Sequence, residues 1–150
     1  MSSTVYTVFL IIATIARYPF TDIYASKIYY LNVPHVVRNG TGPIDLSCIY
    51  NVRDNENGLV IKWYHNADQI YQWIPPLPPQ DIGVINGLVE YPEQNLLHSN
   101  LRSIIHLKMV TVEMSGDYTC TISTLQEECS IRTKMIVYGN FEIRIKLMIR

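Results

Sequence analysis

Tyr118 precedes Cys120 by two residues, and Gly116 stands two residues before Tyr118, in the stretch Ser115-Gly116-Asp117-Tyr118-Thr119-Cys120. Alternate residues of a strand share one face, so Tyr118 and Cys120 point together into a core while Thr119 points away. Upstream, the runs Leu46–Tyr50 and Ile61–Tyr64 have the same short, strand-like character and carry Cys48 and Trp63. A cysteine, a tryptophan about 15 residues later and a Tyr-x-Cys roughly 70 residues after the first cysteine constrain the fold more than any other feature.

The 150 residues, 48% hydrophobic and 17% charged, are enough for one folded domain with a real core and argue against disorder. A formal net charge of −1 gives no reason to invoke nucleic acid, and no basic run tracks a phosphate backbone. Eleven tyrosines suit strands and protein-contact surfaces alike.

An apolar run, Val5 to Ala16, ends at Arg17. Its length is too short to span a bilayer but suits the apolar region of a secretory signal. Cleavage after Ala25 fits better than after Ala16, although no lysine or arginine precedes the run. We therefore expect a signal peptide over 1–25, one domain over 26–139 and a tail over 140–150. The competing reading is a buried first strand or helix of a cytosolic domain. The tail alternates Phe141, Ile143, Ile145 and Leu147 with Glu142, Arg144 and Lys146. It is too short and too charged to cross a membrane, so no transmembrane segment is expected. It either extends the last strand or begins a further module.

From Lys27 onward, short apolar runs are separated by turn signals, an all-β pattern. Expected strands are Ile28–Val33, closed by Pro34; Ile44–Tyr50, with Ile44, Leu46 and Cys48 inward; and Leu59–His65, with Leu59, Ile61 and Trp63 inward. Gln69–Ile74 follows, stopped by Pro75, Pro76, Pro78 and Pro79, which lack the backbone donor. One or two short edge strands fit Ile82–Tyr91. Leu101–Val110 places Ile105, Leu107 and Val110 in the core, and Tyr118–Ser123 and Ile131–Tyr138 complete eight or nine strands. No segment asks for a long helix, so the expected fold is a two-sheet β-sandwich.

Asn39-Gly40-Thr41 is the only Asn-x-Ser/Thr sequon, in a turn before the second long strand; sequons occur often by chance, so it is a candidate glycosylation site whose occupancy requires secretion. Cys129 is the odd cysteine, expected in the loop Thr124–Cys129 beside Glu127 and Glu128. Those carboxylates disfavour the thiolate and a catalytic role. An interchain disulfide, a partner cysteine elsewhere and a capped or buried thiol all stay open. His35, His65, His98 and His106 have unrelated spacings, and Ser115 lacks a Gly-x-Ser-x-Gly context. Neither an enzyme, a metal site nor a cofactor is expected.

These residues resemble the variable-type immunoglobulin superfamily over Val33–Tyr138. The resemblance implies an all-β, immunoglobulin-like (V-type) Greek-key sandwich with one inter-sheet disulfide between Cys48 and Cys120. Trp63 would pack against that bridge, and the Tyr118 hydroxyl would bond to backbone upstream. Closing such a loop is worth about 4 kcal/mol on chain entropy. The competing readings, a free thiol pair or a metal site, lack a CxxC or a histidine at ligand spacing. One departure is Met114 where many such domains carry an Asp that pairs with an arginine; Glu113 is one residue out of register for that role.

A narrower resemblance lies in Val60-Ile61-Lys62-Trp63-Tyr64, Tyr71-Gln72-Trp73-Ile74-Pro75 and the proline cluster, which are similar to the first domain of the insect beaten path family. That resemblance implies a secreted, extracellular protein in cell adhesion or axon guidance, bound to an immunoglobulin-superfamily receptor of the sidestep type. Beaten path relatives usually continue beyond this first domain, whereas this chain stops shortly after it. The expected partner-binding residues are Lys62 and Tyr64, opposite in phase to Trp63, Thr119 and Thr121, which alternate away from Cys120, and Tyr71 and Trp73, which are outward if Ile70 and Ile74 fill the core. The alternatives are that the aromatics pack under the proline crossing, that the protein is a soluble immune-type recognition factor, or that it is a structural homodimer linked through Cys129.

Overall fold

The computed structural model describes residues 26–52, 57–91 and 103–139. The expected signal peptide and tail therefore lie outside the described residues, as does Leu101. Among the described residues ten strands form in chain order: β1 Lys27–Asn32, β2 Val36–Arg38, β3 Ile44–Asn51, β4 Val60–His65, β5 Asp68–Trp73, β6 Gln80–Asp81, β7 Val89–Glu90, β8 Ile104–Leu107, β9 Gly116–Ser123 and β10 Glu128–Tyr138. They make two sheets, one ordered β1-β3-β8-β7 and the other β2-β10-β9-β4-β5-β6.

Pro34 stops β1, and the chain changes sheets within three residues. β1 pairs antiparallel with β3, whereas β2 pairs parallel with β10, with Val36 opposite Ile136 and Arg38 opposite Tyr138. At the other margin, the segment from Gln80 to Glu90 supplies β6 to one sheet and β7 to the other, with a 3-10 turn at Gly83–Ile85 between them. Of the expected strand Leu101–Val110, the described part from Ser103 is regular over β8, and Ile105, Leu107 and Val110 are all fully buried, as the alternation required.

The core is built from the inward phase of the long strands. Leu46 and Cys48 of β3, Ile61 and Trp63 of β4, and Tyr118 and Cys120 of β9 are all buried. Cys48 and Cys120 are bonded across the two sheets, with Cα atoms 6.4 Å apart. Trp63 lies opposite Cys120 in the β4–β9 ladder, and its Nε1–H donates to the Ser103 carbonyl at 3.2 Å. Met114 is fully buried at the end of a 3-10 turn, filling with apolar volume the position where the usual motif places a charge.

The Tyr118 hydroxyl donates to the Met114 carbonyl at 2.8 Å, four residues upstream. Burial pushes the phenol pKa up from its ordinary value of 10.0. Gly116 is needed for a close approach: a Cβ there would stand 2.5 Å from His65 Nε2 and 2.6 Å from Asn66 Oδ1. His65 closes β4 with its ring 5.1 Å from that of Tyr118. Its Nε2 lies 3.0 Å from the Ser115 carbonyl and must carry the proton, because a carbonyl only accepts. Asn66, at φ 57° in the β4–β5 turn, donates its backbone N–H to the Asp117 carbonyl and accepts the Asp117 backbone N–H at its Oδ1. The motif Gly-Asp-Tyr-x-Cys is thus tied at both ends to the strand that carries Trp63.

Two local expectations are corrected. Cys129 is not in a loop, because the antiparallel ladder runs on to Glu128 opposite Ser123 and places Cys129 opposite Ile122. The loop shrinks to a tight turn in which Thr124 Oγ1 accepts from the Gln126 and Glu127 amides. Cys129 therefore takes the inward phase of β10, half-buried and packed against the core. The second correction concerns β5, whose phase changes at a bulge.

Candidate functional site

The outward phase of the six-stranded sheet is the surface on which the recognition residues were expected. Two rows of opposed residues cross it. One runs Gln80, Gln72, Lys62, Thr121, Ser130, from β6 to β10. The other runs Gln69, Tyr64, Thr119, Arg132. Lys62, Tyr64 and Thr119 are half-buried and share this face. Thr121 also alternates away from Cys120 but is only 7% exposed, which corrects its expected accessibility. A short side chain at the centre of the sheet lies below the level of a longer neighbour such as Lys62.

Tyr71 and Trp73 do not belong to this face. They are 2% and 8% exposed and point inward. In the β4–β5 ladder Trp63 opposes Tyr71 but Tyr64 opposes Gln69, so Ile70 is an extra residue in β5. A bulge of this kind leaves two consecutive residues on one face and inverts the phase beyond it. Ile70 and Tyr71 are therefore both buried, Gln72 turns outward, and Trp73 opposes Ile61. The Trp73 Nε1–H donates to the Leu77 carbonyl at 2.9 Å, so the indole is anchored beneath the proline crossing. Burying two large aromatic rings outweighs keeping the alternation that Ile70 and Ile74 suggested.

Several residues of the face were missed. Gln69 donates to Gln72 Oε1 at 3.4 Å, replacing the two expected aromatics with an amide pair. Arg132 Nε donates to Thr119 Oγ1 at 3.3 Å, and its guanidinium reaches Asp117 at 3.9 Å. At such exposure the ion pair contributes little stability but orients the arginine. The strict alternation of Ser130, Arg132 and Lys134 with Ile131, Thr133 and Met135 was the signal that could have found them. Asn39 is exposed in the turn after β2. Among the described residues no three of His, Cys, Asp or Glu cluster to hold a metal ion, and no helix is long and apolar enough to cross a membrane.

The chain is similar in structure to the V domain of amphioxus IgVJ-C2, with a TM-score of 0.53 at 14% identity over 69% of this chain and 98% of that one. The fold is a V-type immunoglobulin sandwich. Titin M4 is also similar, with a TM-score of 0.52 at 16% identity over 76% of this chain and 96% of that one. A chimeric titin Z1Z2 matches at 0.51 with 12% identity, over 77% and 96% of the two chains. No family model and no curated protein sequence matches the chain. At these identities the likeness carries the immunoglobulin fold alone, and the outer face must supply the argument for function.

Proposed function

We propose that this immunoglobulin domain is an extracellular recognition module that binds a partner protein through the outer face of its six-stranded sheet, centred on Lys62, Tyr64 and Thr119. The observation that carries the reading is the place of Tyr64. It is a tyrosine in mid-sheet on the outward phase, flanked in register by Gln69 and Thr119, with Lys62 next to it on the same face. A rigid amphipathic ring ringed by polar side chains is the arrangement that interface hot spots use. The inter-sheet disulfide supports an oxidising compartment, and the apolar run Val5–Ala16 supports secretion.

The finer reading, a sidestep-type receptor as partner and a part in neuronal guidance, rests on the resemblance of Val60–Tyr64 and Tyr71–Pro75 to the beaten path family. Half of that resemblance serves packing, since Tyr71 and Trp73 are core residues. The inward, half-buried place of Cys129 weighs against a homodimer linked through it.

A screen of the secreted full chain against cell-surface ectodomains, sidestep-type receptors among them, identifies the partner. Lys62→Ala, Tyr64→Ala and Thr119→Ala are then compared for affinity, with folding checked by thermal melting. Weakened binding with a native melt supports the face. Unchanged affinity in all three overturns it.

A further inference from the structure

The edge of the recognition sheet farthest from Tyr64 carries an apolar stripe that the proposed contact does not use. In the parallel β2–β10 pair, Val36 lies opposite Ile136 and Arg38 opposite Tyr138. Val36 is 63% exposed, and Ile136 and Tyr138 are each 51% exposed. β2 is the last strand in its sheet order, three residues long and without a further neighbour among the described residues. An apolar edge strand left open to water is a template for unwanted pairing, and folded proteins usually cover or charge it.

The sequon Asn39-Gly40-Thr41 begins at the residue after β2. The Asn39 backbone N–H donates to the Tyr138 carbonyl at 2.8 Å, and the Thr41 backbone N–H donates back to the Arg38 carbonyl at 3.1 Å. Gly40, at φ 82°, supplies the left-handed residue that this tight turn needs. Asn39, Gly40 and Thr41 are all exposed. The acceptor asparagine is therefore pinned at the end of the apolar stripe, beside Tyr138, on a turn that admits a bulky substituent.

We propose that Asn39 carries an N-linked oligosaccharide whose first sugars lie along the β2–β10 edge and cover Val36, Ile136 and Tyr138. The donor is a lipid-pyrophosphate-linked oligosaccharide. Its anomeric carbon forms a bond to Asn39 Nδ2 as its bond to the pyrophosphate oxygen breaks; the lipid pyrophosphate leaves and the amide gives up one proton. Sugar rings present C–H faces that pack on an aromatic ring and hydroxyls that face water, which suits a half-exposed tyrosine on a sheet edge. In the sheet order β2-β10-β9-β4, this cover stands at the opposite end from Lys62 and Tyr64. It confines the approach of a protein partner to the β9–β4–β5 part of the face. The inference rests on the secretory reading above.

The full chain is expressed in a eukaryotic secretory host and the secreted product is weighed intact. The expected result is the added mass of one oligosaccharide. Peptide N-glycosidase should remove it, leaving aspartate in place of the acceptor, and both Asn39→Gln and Thr41→Ala should lack it. Covalent footprinting of the folded glycoprotein, before and after enzymatic removal of the sugar, should show less labelling of the Ile136–Tyr138 segment while the sugar is attached. Secreted protein that carries no sugar overturns the proposal and leaves the secretory reading standing. Equal labelling with and without the sugar overturns the cover. A chain that stays in the cytosol overturns the secretory reading and this proposal with it.

Discussion

Strands β4 and β5 are neighbours in one sheet, and both are rich in aromatics, yet only β4 alternates without a break. From Val60 to His65 its burial switches at every residue, with Ile61, Trp63 and His65 inward and Lys62 and Tyr64 half-exposed. In β5 the alternation fails at Ile70 and Tyr71, which are both buried, and every later residue has the opposite phase to the one expected. The same residue types thus have opposite uses. Tyr64 faces outward, half-exposed, whereas Tyr71 and Trp73 back the sheet from inside. One extra residue in a ladder separates an outward ring from two inward ones.

Replacement of Trp73 by alanine breaks this comparison most sharply. As a buried ring it should cost about 3–5 kcal/mol of stability, and Tyr71→Ala should behave alike. An outward ring would change stability by about 0.5 kcal/mol or less. Urea unfolding with the m-value held constant separates the two outcomes. Next in size is Gly116→Ala. The new Cβ would meet His65 Nε2 at 2.5 Å, and forced shifts of this kind cost about 1–3 kcal/mol. The same titration should show it, and a neutral result would mean that His65 and Asn66 move aside freely.

Tyr118→Phe removes the hydroxyl bond to Met114 and should cost about 1 kcal/mol near neutral pH. It should also change the alkaline limb. The folded Tyr118 holds its proton above 10.0, where the unfolded phenol begins to lose it, so the folded state binds more protons there. The stability this group contributes is complete below pH 10 and is lost as pH rises toward the folded value, at up to about 1.4 kcal/mol per pH unit. The phenylalanine variant should lose stability more gradually above pH 10, as read from denaturation midpoints at successive pH values. Smallest in stability and largest in affinity is Tyr64→Ala. It should shift unfolding by about 1 kcal/mol or less, while costing about 2 kcal/mol or more of partner binding if it is a hot spot.

The fold was legible because its signals are local in sequence and strict in phase. Cys48, Trp63, Tyr118 and Cys120 each stand on a regular strand, so parity placed them all inward. The start of β10 was not legible, since Glu127 and Glu128 resemble a loop until Ser123 pairs with Glu128 and Ile122 with Cys129. His65 looked like one of four scattered histidines. Its bond to Ser115 and its contact with Tyr118 exist only because Gly116 lets β9 approach β4 closely. On the outer face of the six-stranded sheet, Lys62, Tyr64 and Thr119 were legible by phase. The loss of Tyr71 and Trp73 was not, because a bulge is decided by the partner strand and not by the residues that carry it.

The chain has two tryptophans, Trp63 and Trp73, at 0% and 8% exposure. Quenching of native tryptophan fluorescence by iodide therefore tests the assignment of β5 to the core most directly. With both indoles inward, iodide should quench the native protein weakly and uniformly, and strong quenching should return only on unfolding. A native fraction quenched as readily as in the unfolded chain would put Trp73 on the outer face and return β5 to the contact surface.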